Sequence, residues 1–179
     1  PKHAIEPFKD VISNPVSWAK KCQDFAVDAV SLFLMSTDPA VKNAPADKAA
    51  ALAKEVAEAI DVPLIVYGSG DEKKDAEVLS KVAEVCDGMN LLIGPVLKEN
   101  YEAVGKAILD HGHTAIAQSP LDINLLKELN VKLSKFFPSD RIVIDSLSSA
   151  LGYGMEYSFS LIERVKQIGV ITKDSMTMM

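Results

Sequence analysis

The stretch "PLIVYGSGDEKKDAEVLSKVAEVC", residues 63–86, decides the fold class. Residues 63–68 are apolar and β-rich, and Gly68 and Gly70 break the run. Residues 71–86 then carry Val78, Leu79, Val82 and Val85 on one face of a helical pattern. A strand, a tight turn and an amphipathic helix in this order make one βα unit. The strand is apolar over most of its length, which predicts cover on both faces of a parallel sheet.

The same unit recurs in both directions. Further strands are predicted over 27–35, 90–94, 114–118 and 141–145. Helices are predicted over 46–60, 98–112, 121–137 and 155–171, with Leu52, Val56, Ala59 and Ile60 on one face of the first. An opening helix over 15–25 has Asn14 as its N-cap and Pro15 at its first position. Five successive βα units with right-handed crossovers follow. They suit either an open doubly wound sheet or part of a (β/α)8 barrel of the TIM type, and periodicity alone does not separate the two. Pro1 opens the chain without Met and "SMTMM" ends it without a cap, so a fragment of a longer polypeptide is expected, which favours the partial barrel. Residues 1–179 are read as one partial barrel domain.

Bulk properties narrow the function. The chain has 179 residues, 48% hydrophobic and 25% charged, enough for one well-packed core. Nineteen basic against twenty-five acidic residues give a net charge of −6, with the basic residues scattered, which argues against nucleic acid as a partner. No apolar run is long enough to span a bilayer, so no membrane partner is expected. Cys22 and Cys86 are the only cysteines, too few for a four-thiolate cluster. Both are expected as buried, reduced thiols in a cytoplasmic protein.

In either fold, chemistry gathers at the carboxyl ends of the strands. Those ends carry Ser36–Asp38, Gly68–Gly70, Gly94–Pro95, Gln118–Ser119 and Asp145–Ser146. No nucleophile triad, carboxylate pair, zinc spacing or Schiff-base lysine stands out among them. His111 and His113 fall at an amino end, where a helix-end or surface place is expected. "YGSGDEKKD" has the look of a phosphate loop but lacks the full glycine pattern, and Asp71 is placed to cap the next helix, so a tight turn is the better reading. Asp122 suits an N-cap, and Gln118, Asp122 and Asn124 could also serve a planar polar ligand. The tract 145–155 sets Gly152 and Gly154 around Tyr153, and glycines there either allow close approach of a flat partner or serve a loop of unusual φ.

Several segments carry a resemblance: "NPVSWAKKC", "STDP", "DVPLIVYGSG", "EKKDAEVLSKVAE", "SPLDINLLKELN" and above all "ALGYGMEYSFSLIERVK". In register and order they resemble the small (delta) subunit of the corrinoid iron–sulfur protein of the acetyl-CoA decarbonylase/synthase system, from about Asn14 to the end. The resemblance implies a (β/α)8 barrel with strands missing from this chain at both ends. It implies a large corrinoid/iron–sulfur subunit as partner, with a methyltransferase and acetyl-CoA synthase beyond it. The cobamide would be held mainly by the large subunit, and this chain would carry no iron–sulfur cluster. Its barrel mouth would cover the cobamide as a methyl group passes from methyltetrahydropterin to acetyl-CoA synthase. The residues assigned to that mouth are Gly152, Tyr153, Gly154, Met155, Asp145, Ser146, Gln118 and Asn124, none of them catalytic. The alternative is a barrel that itself binds methylpterin through Asn124, Gln118 and Asp145 and catalyses the transfer.

Overall fold

In a computed structural model, five parallel strands pair in simple chain order. The structure describes residues 2–120, 122–147, 152 and 154–173. The strands are β1 (Val30–Phe33), β2 (Leu64–Tyr67), β3 (Leu92–Val96), β4 (Thr114–Gln118) and β5 (Ile142–Asp145), in the order β1-β2-β3-β4-β5. The order never reverses, so this sheet has no switch point of the doubly wound kind. Right-handed crossovers then place every connecting helix on one side.

The helices are α1 (Lys2–Ile5), α2 (Pro15–Gln23), α3 (Ala46–Ala59), α4 (Glu72–Val85), α5 (Tyr101–Asp110), α6 (Ile123–Leu133) and α7 (Met155–Thr172). From α2 onward each packs against the next, forming a single layer. Strand residues of one parity meet that layer. Val30, Leu34, Leu64, Val66, Leu91, Ile93, Ala115, Ala117 and Ile142 join helix residues in one core. Burying each Val, Leu or Ile side chain stabilises the fold by about 1.5–3 kcal/mol. A smaller cluster of Leu126, Leu161 and Val165 seats α7 on α6, with Ile123 and Ile144 packed beside it.

The other parity faces away from the helices, and this corrects the expectation of two covered faces. Among the described residues nothing layers over it: Phe33 is 58% and Val143 39% exposed. The middle of this open face is more sheltered, with Ile116 buried and Ile65, Tyr67, Leu92 and Gln118 half-buried. Continuous apolar runs do not reveal which face is covered within a given stretch of chain.

Local chemistry explains the element boundaries. The Asn14 side chain accepts from the Ser17 N–H at 3.0 Å, and Pro15 opens α2. Asp71 accepts from the Lys74 N–H at 2.8 Å and caps α4. Asp122 accepts from the N–H groups of Asn124 and Leu125 and caps α6. Such caps contribute about 1 kcal/mol each. The helix predicted over 98–112 starts only at Tyr101, because the Asn100 side chain turns back to accept from the Leu97 N–H at 2.8 Å. On α3 the buried face is Ala46, Ala49, Ala50, Ala53 and Val56, while Leu52 and Ala59 are only partly buried. The core-facing stripe is thus set by alanines, which hydrophobic ranking undervalues.

Candidate functional site at the carboxyl ends of the strands

Because all five strands are parallel, their carboxyl ends share one edge of the sheet. On the open face at this edge stand Phe33, Tyr67, Gly94, Gln118 and Asp145. Phe33 pairs with Tyr67, Tyr67 with Gly94, and Gln118 with Asp145. The Phe33 and Tyr67 rings stack, with centroids 5.1 Å apart and planes 18° from parallel.

Tyr67 reaches from β2 to β5. Its hydroxyl donates to Asp145 Oδ2 at 2.6 Å, and Gln118 Nε2 donates to the same oxygen at 2.8 Å. The Leu147 N–H donates to Asp145 Oδ1 at 2.9 Å. Gly94 lies between the two strands and has no room for a side chain: a Cβ there would come 2.7 Å from Ile116 Cβ.

Electrostatics follow from these contacts. Burial alone would raise the Asp145 pKa, but the hydrogen bonds from Tyr67, Gln118 and Leu147 together outweigh it and hold the carboxyl below its usual value. Asp145 is therefore a carboxylate at neutral pH. Burial, then the hydrogen bond to Asp145, pushes the Tyr67 hydroxyl far above the ordinary tyrosine value, so it stays protonated and donating. The cluster is a fixed carboxylate with an amide and a phenol locked on it, beside an exposed aromatic face. It offers hydrogen-bond acceptance and a flat apolar wall rather than a proton shuttle.

The sequence-predicted residues distribute unevenly around this cluster. Gln118 and Asp145 come together, and Ser146 follows Asp145 half-buried. Asn124 is exposed in the first turn of α6, its backbone N–H taken by Asp122, and among the described residues it is not a partner of Asp145. Tyr153 lies outside the described residues. Gly152 and Gly154 adopt φ of +80° and +108°, conformations that favour glycine. At Gly154 a Cβ would also meet the Tyr157 ring at 2.5 Å, whereas at Gly152 it would meet open space. Met155, which opens α7, is 55% exposed.

Tyr67 and Phe33 escape sequence reading. Both look like ordinary strand residues, and only register shows that they share a face with Asp145. Gly94 was the available signal: a glycine inside a strand marks a close approach.

Other candidates resolve as structure. In the β2–α4 turn, buried Asp75 accepts from the Ser69 N–H at 2.7 Å, the Ser69 hydroxyl at 3.0 Å and the Gly70 N–H at 2.8 Å. That carboxylate takes the groups a phosphate would need. His113 is buried rather than at a surface, which corrects the expectation for it. Its Nδ1 accepts from the Leu91 N–H at 3.1 Å and its Nε2 donates to Ala83 O at 3.0 Å, tying β3, β4 and α4 together. His111 does sit at a helix end, 2.8 Å from Asp87. Cys86 is buried, and burial first, with the charge of Glu58 also raising it against Lys54, pushes its thiol up to about 11. Cys22 is only partly buried, which corrects that expectation, and burial raises its pKa too. Among the described residues, no three potential ligands converge on a metal position, and no helix is long and apolar enough to cross a membrane.

The family model described as CO dehydrogenase/acetyl-CoA synthase delta subunit matches residues 1–179. The acetyl-CoA decarbonylase/synthase complex subunit delta 1 of Methanosarcina thermophila is 40% identical over 180 residues, covering 98% of this chain and 41% of that protein. Subunit delta of the complex from Archaeoglobus fulgidus is 40% identical over 167 residues, covering 91% of this chain and 37% of its own length. The subunit delta of Methanocaldococcus jannaschii is 36% identical over 173 residues, covering 95% and 43%. The chain spans about two fifths of the length of these relatives. A match across all of its residues places the chain in the family of the CO dehydrogenase/acetyl-CoA synthase delta subunit.

Proposed function

We propose that this chain forms part of the subunit that covers and orients a cobamide held by a large corrinoid/iron–sulfur partner. The methyl group passes from methyltetrahydropterin to acetyl-CoA synthase in the reductive acetyl-CoA pathway. The sequential parallel order β1-β2-β3-β4-β5 is the one a (β/α)8 barrel requires, and we take the five units as consecutive parts of such a barrel. The open face then lines the barrel interior, and the edge carrying Phe33, Tyr67, Gln118 and Asp145 is its mouth.

One observation carries the reading: two polar side chains at the strand ends, Tyr67 and Gln118, converge on the Asp145 carboxylate and donate to it. Such a mouth positions and shelters rather than trades protons. That suits methyl transfer at cobalt, where the cobamide supplies the nucleophile and the protein supplies orientation and control of water. The residues fit covering, since Asp145 and Gln118 can accept from the carboxamide arms of a corrin rim while Phe33 gives apolar contact. Gly152, Gly154, Met155 and Ser146 supply the neighbouring rim of the mouth in this reading; Tyr153, assigned to it on the resemblance, lies outside the described residues. Partners beyond the large subunit are the methyltransferase and acetyl-CoA synthase.

The test is a titration of the full-length subunit into the cobamide-loaded large subunit, followed by corrinoid absorption. A saturable spectral change at one-to-one stoichiometry is expected. Complex formation with an unchanged spectrum would place this subunit away from the cobalt, and no complex would overturn the reading. A second reading, a barrel that binds methylpterin itself, draws on the Gln118–Asp145 contact at 2.8 Å. Pterin affinity together with methyl transfer to free corrinoid, without the large subunit, would favour it.

A further inference from the structure

The hydrogen-bond inventory at Asp145 fixes the polarity of the mouth. Oδ2 accepts from Tyr67 and Gln118, and Oδ1 accepts from the Leu147 N–H. An ionised carboxylate has about four lone-pair positions, so among the described residues one on Oδ1 remains. Tyr67 has committed its only proton to Asp145. Gln118 turns its NH2 group to Asp145, which leaves its Oε1 as an acceptor. Among the described residues, the Tyr67 hydroxyl and the Gln118 amide both donate to Asp145, and the acceptors left over are Asp145 Oδ1 and Gln118 Oε1. Beside them the Phe33 ring, 58% exposed and stacked on Tyr67, gives a flat apolar wall.

We propose that Asp145 and Gln118 form an acceptor pair that binds the N–H donor edge of a ligand at this mouth, with Tyr67 as the residue that positions them. This rests on the strand ends being the functional face, as proposed above. A pair of acceptors disfavours a carbonyl or carboxylate oxygen placed directly on it, because two acceptors would face each other without a proton. It suits a neutral ligand bearing N–H groups near a flat apolar surface. Two ligands of this system share that chemistry: the NH2 groups of the carboxamide arms of a corrin rim, and the 2-amino and N3–H donors of a pterin. Tyr67 contributes indirectly. Without its hydroxyl, the Asp145 carboxylate loses one of the bonds that hold it beside Gln118, and the acceptor pair is less firmly fixed.

The experiment is calorimetric titration of the full-length subunit with two probes, tetrahydrofolate for the pterin edge and dicyanocobinamide for corrin carboxamides. Wild type, Asp145→Asn and Tyr67→Phe are compared, each checked for fold by circular dichroism. Asparagine presents N–H groups where the carboxylate accepted, so Asp145→Asn is expected to weaken the bound probe about tenfold or more, the size of one hydrogen bond to a charged group. Tyr67→Phe keeps the ring stacked on Phe33 and is expected to weaken it severalfold; it decides the matter alone if Asp145→Asn does not fold. Binding of tetrahydrofolate with this mutational loss assigns the pair to a pterin edge, and binding of dicyanocobinamide with the loss assigns it to corrin amides. Binding of neither probe to wild type, or equal binding by wild type and the folded variants, overturns the proposal. The covering function is read separately, by the spectral titration with the large subunit, and survives if only the acceptor pair fails.

Discussion

The Tyr67 hydroxyl lies 2.6 Å from Asp145 Oδ2, joining residues 78 positions apart across three intervening strand pairings. The bond is charge-assisted, and a hydrogen bond to a charged group contributes about 1.5–3 kcal/mol when sheltered. At this half-buried position, Tyr67→Phe should cost about 1 kcal/mol in urea unfolding of the full-length subunit. It should also raise the Asp145 pKa, since burial stays and one of the opposing hydrogen bonds goes. The sign is definite. A depressed carboxyl pKa gives stability above the unfolded-state value of 3.8 that is lost as pH falls through the folded value. The variant should therefore lose less stability on acidification below 3.8 than wild type does. Carbon-13 titration of the Asp145 carboxyl checks the shift directly.

Gly94, the glycine within β3, should resist replacement. A Cβ there would stand 2.7 Å from Ile116 Cβ and 3.1 Å from Ile116 O, and the second of these is backbone that cannot swing aside. Overpacking of this kind costs about 1–3 kcal/mol. Gly94→Ala is expected to lower the urea midpoint accordingly, with an unchanged slope. A fall of less than 0.5 kcal/mol, about the level of a neutral surface change, would mean that β3 and β4 move apart freely.

Sequence pattern revealed what depends on near neighbours and missed what depends on register. The βα repeat, the caps at Asn14, Asp71 and Asp122, and the start of β4 at Thr114 were all legible, because each is set within a few residues. Asp145 and Gln118 were singled out as strand ends, and the structure joins them. Tyr67 and Phe33 were not, because their meaning comes from parity and stagger across several strands. Asp75 looked like one more charge on an amphipathic helix, and only its position in the first turn of α4 turns it back into the loop. Asn124, read as a contact to a planar polar ligand, stands in the first turn of α6 rather than on a strand.

Asp75 should be a stability residue. It is fully buried and accepts three hydrogen bonds from Ser69 and Gly70. In Asp75→Asn one oxygen becomes an NH2 group facing an N–H, so at least one backbone donor in the turn goes unpaired. Leaving a buried donor unsatisfied costs about 1–3 kcal/mol. Faster hydrogen exchange at the Ser69 and Gly70 amides should accompany the loss, while the Asp145 carboxyl titrates as in wild type.

His113 should make the fold sensitive to mild acid. Burial is the main force holding its pKa below the ordinary 6.5, with the charges of His111 and Arg141 acting the same way, against the Ala83 carbonyl and Asp87. Protonation would place a proton on Nδ1, where the Leu91 N–H already points, and so break the tie between β3 and β4. The unfolded chain binds this proton below 6.5 while the folded chain resists it, so stability is complete above that value and declines below it. The slope contributed is at most about 1.4 kcal/mol per pH unit. His113→Gln keeps a donor and an acceptor but cannot titrate. Unfolding free energies measured from about pH 7 to pH 5 should therefore fall more steeply for wild type than for the variant, and the difference isolates this one imidazole from the rest of the chain. Parallel curves would mean that His113 takes up its proton as easily folded as unfolded, and that the Leu91 and Ala83 contacts do not hold it neutral.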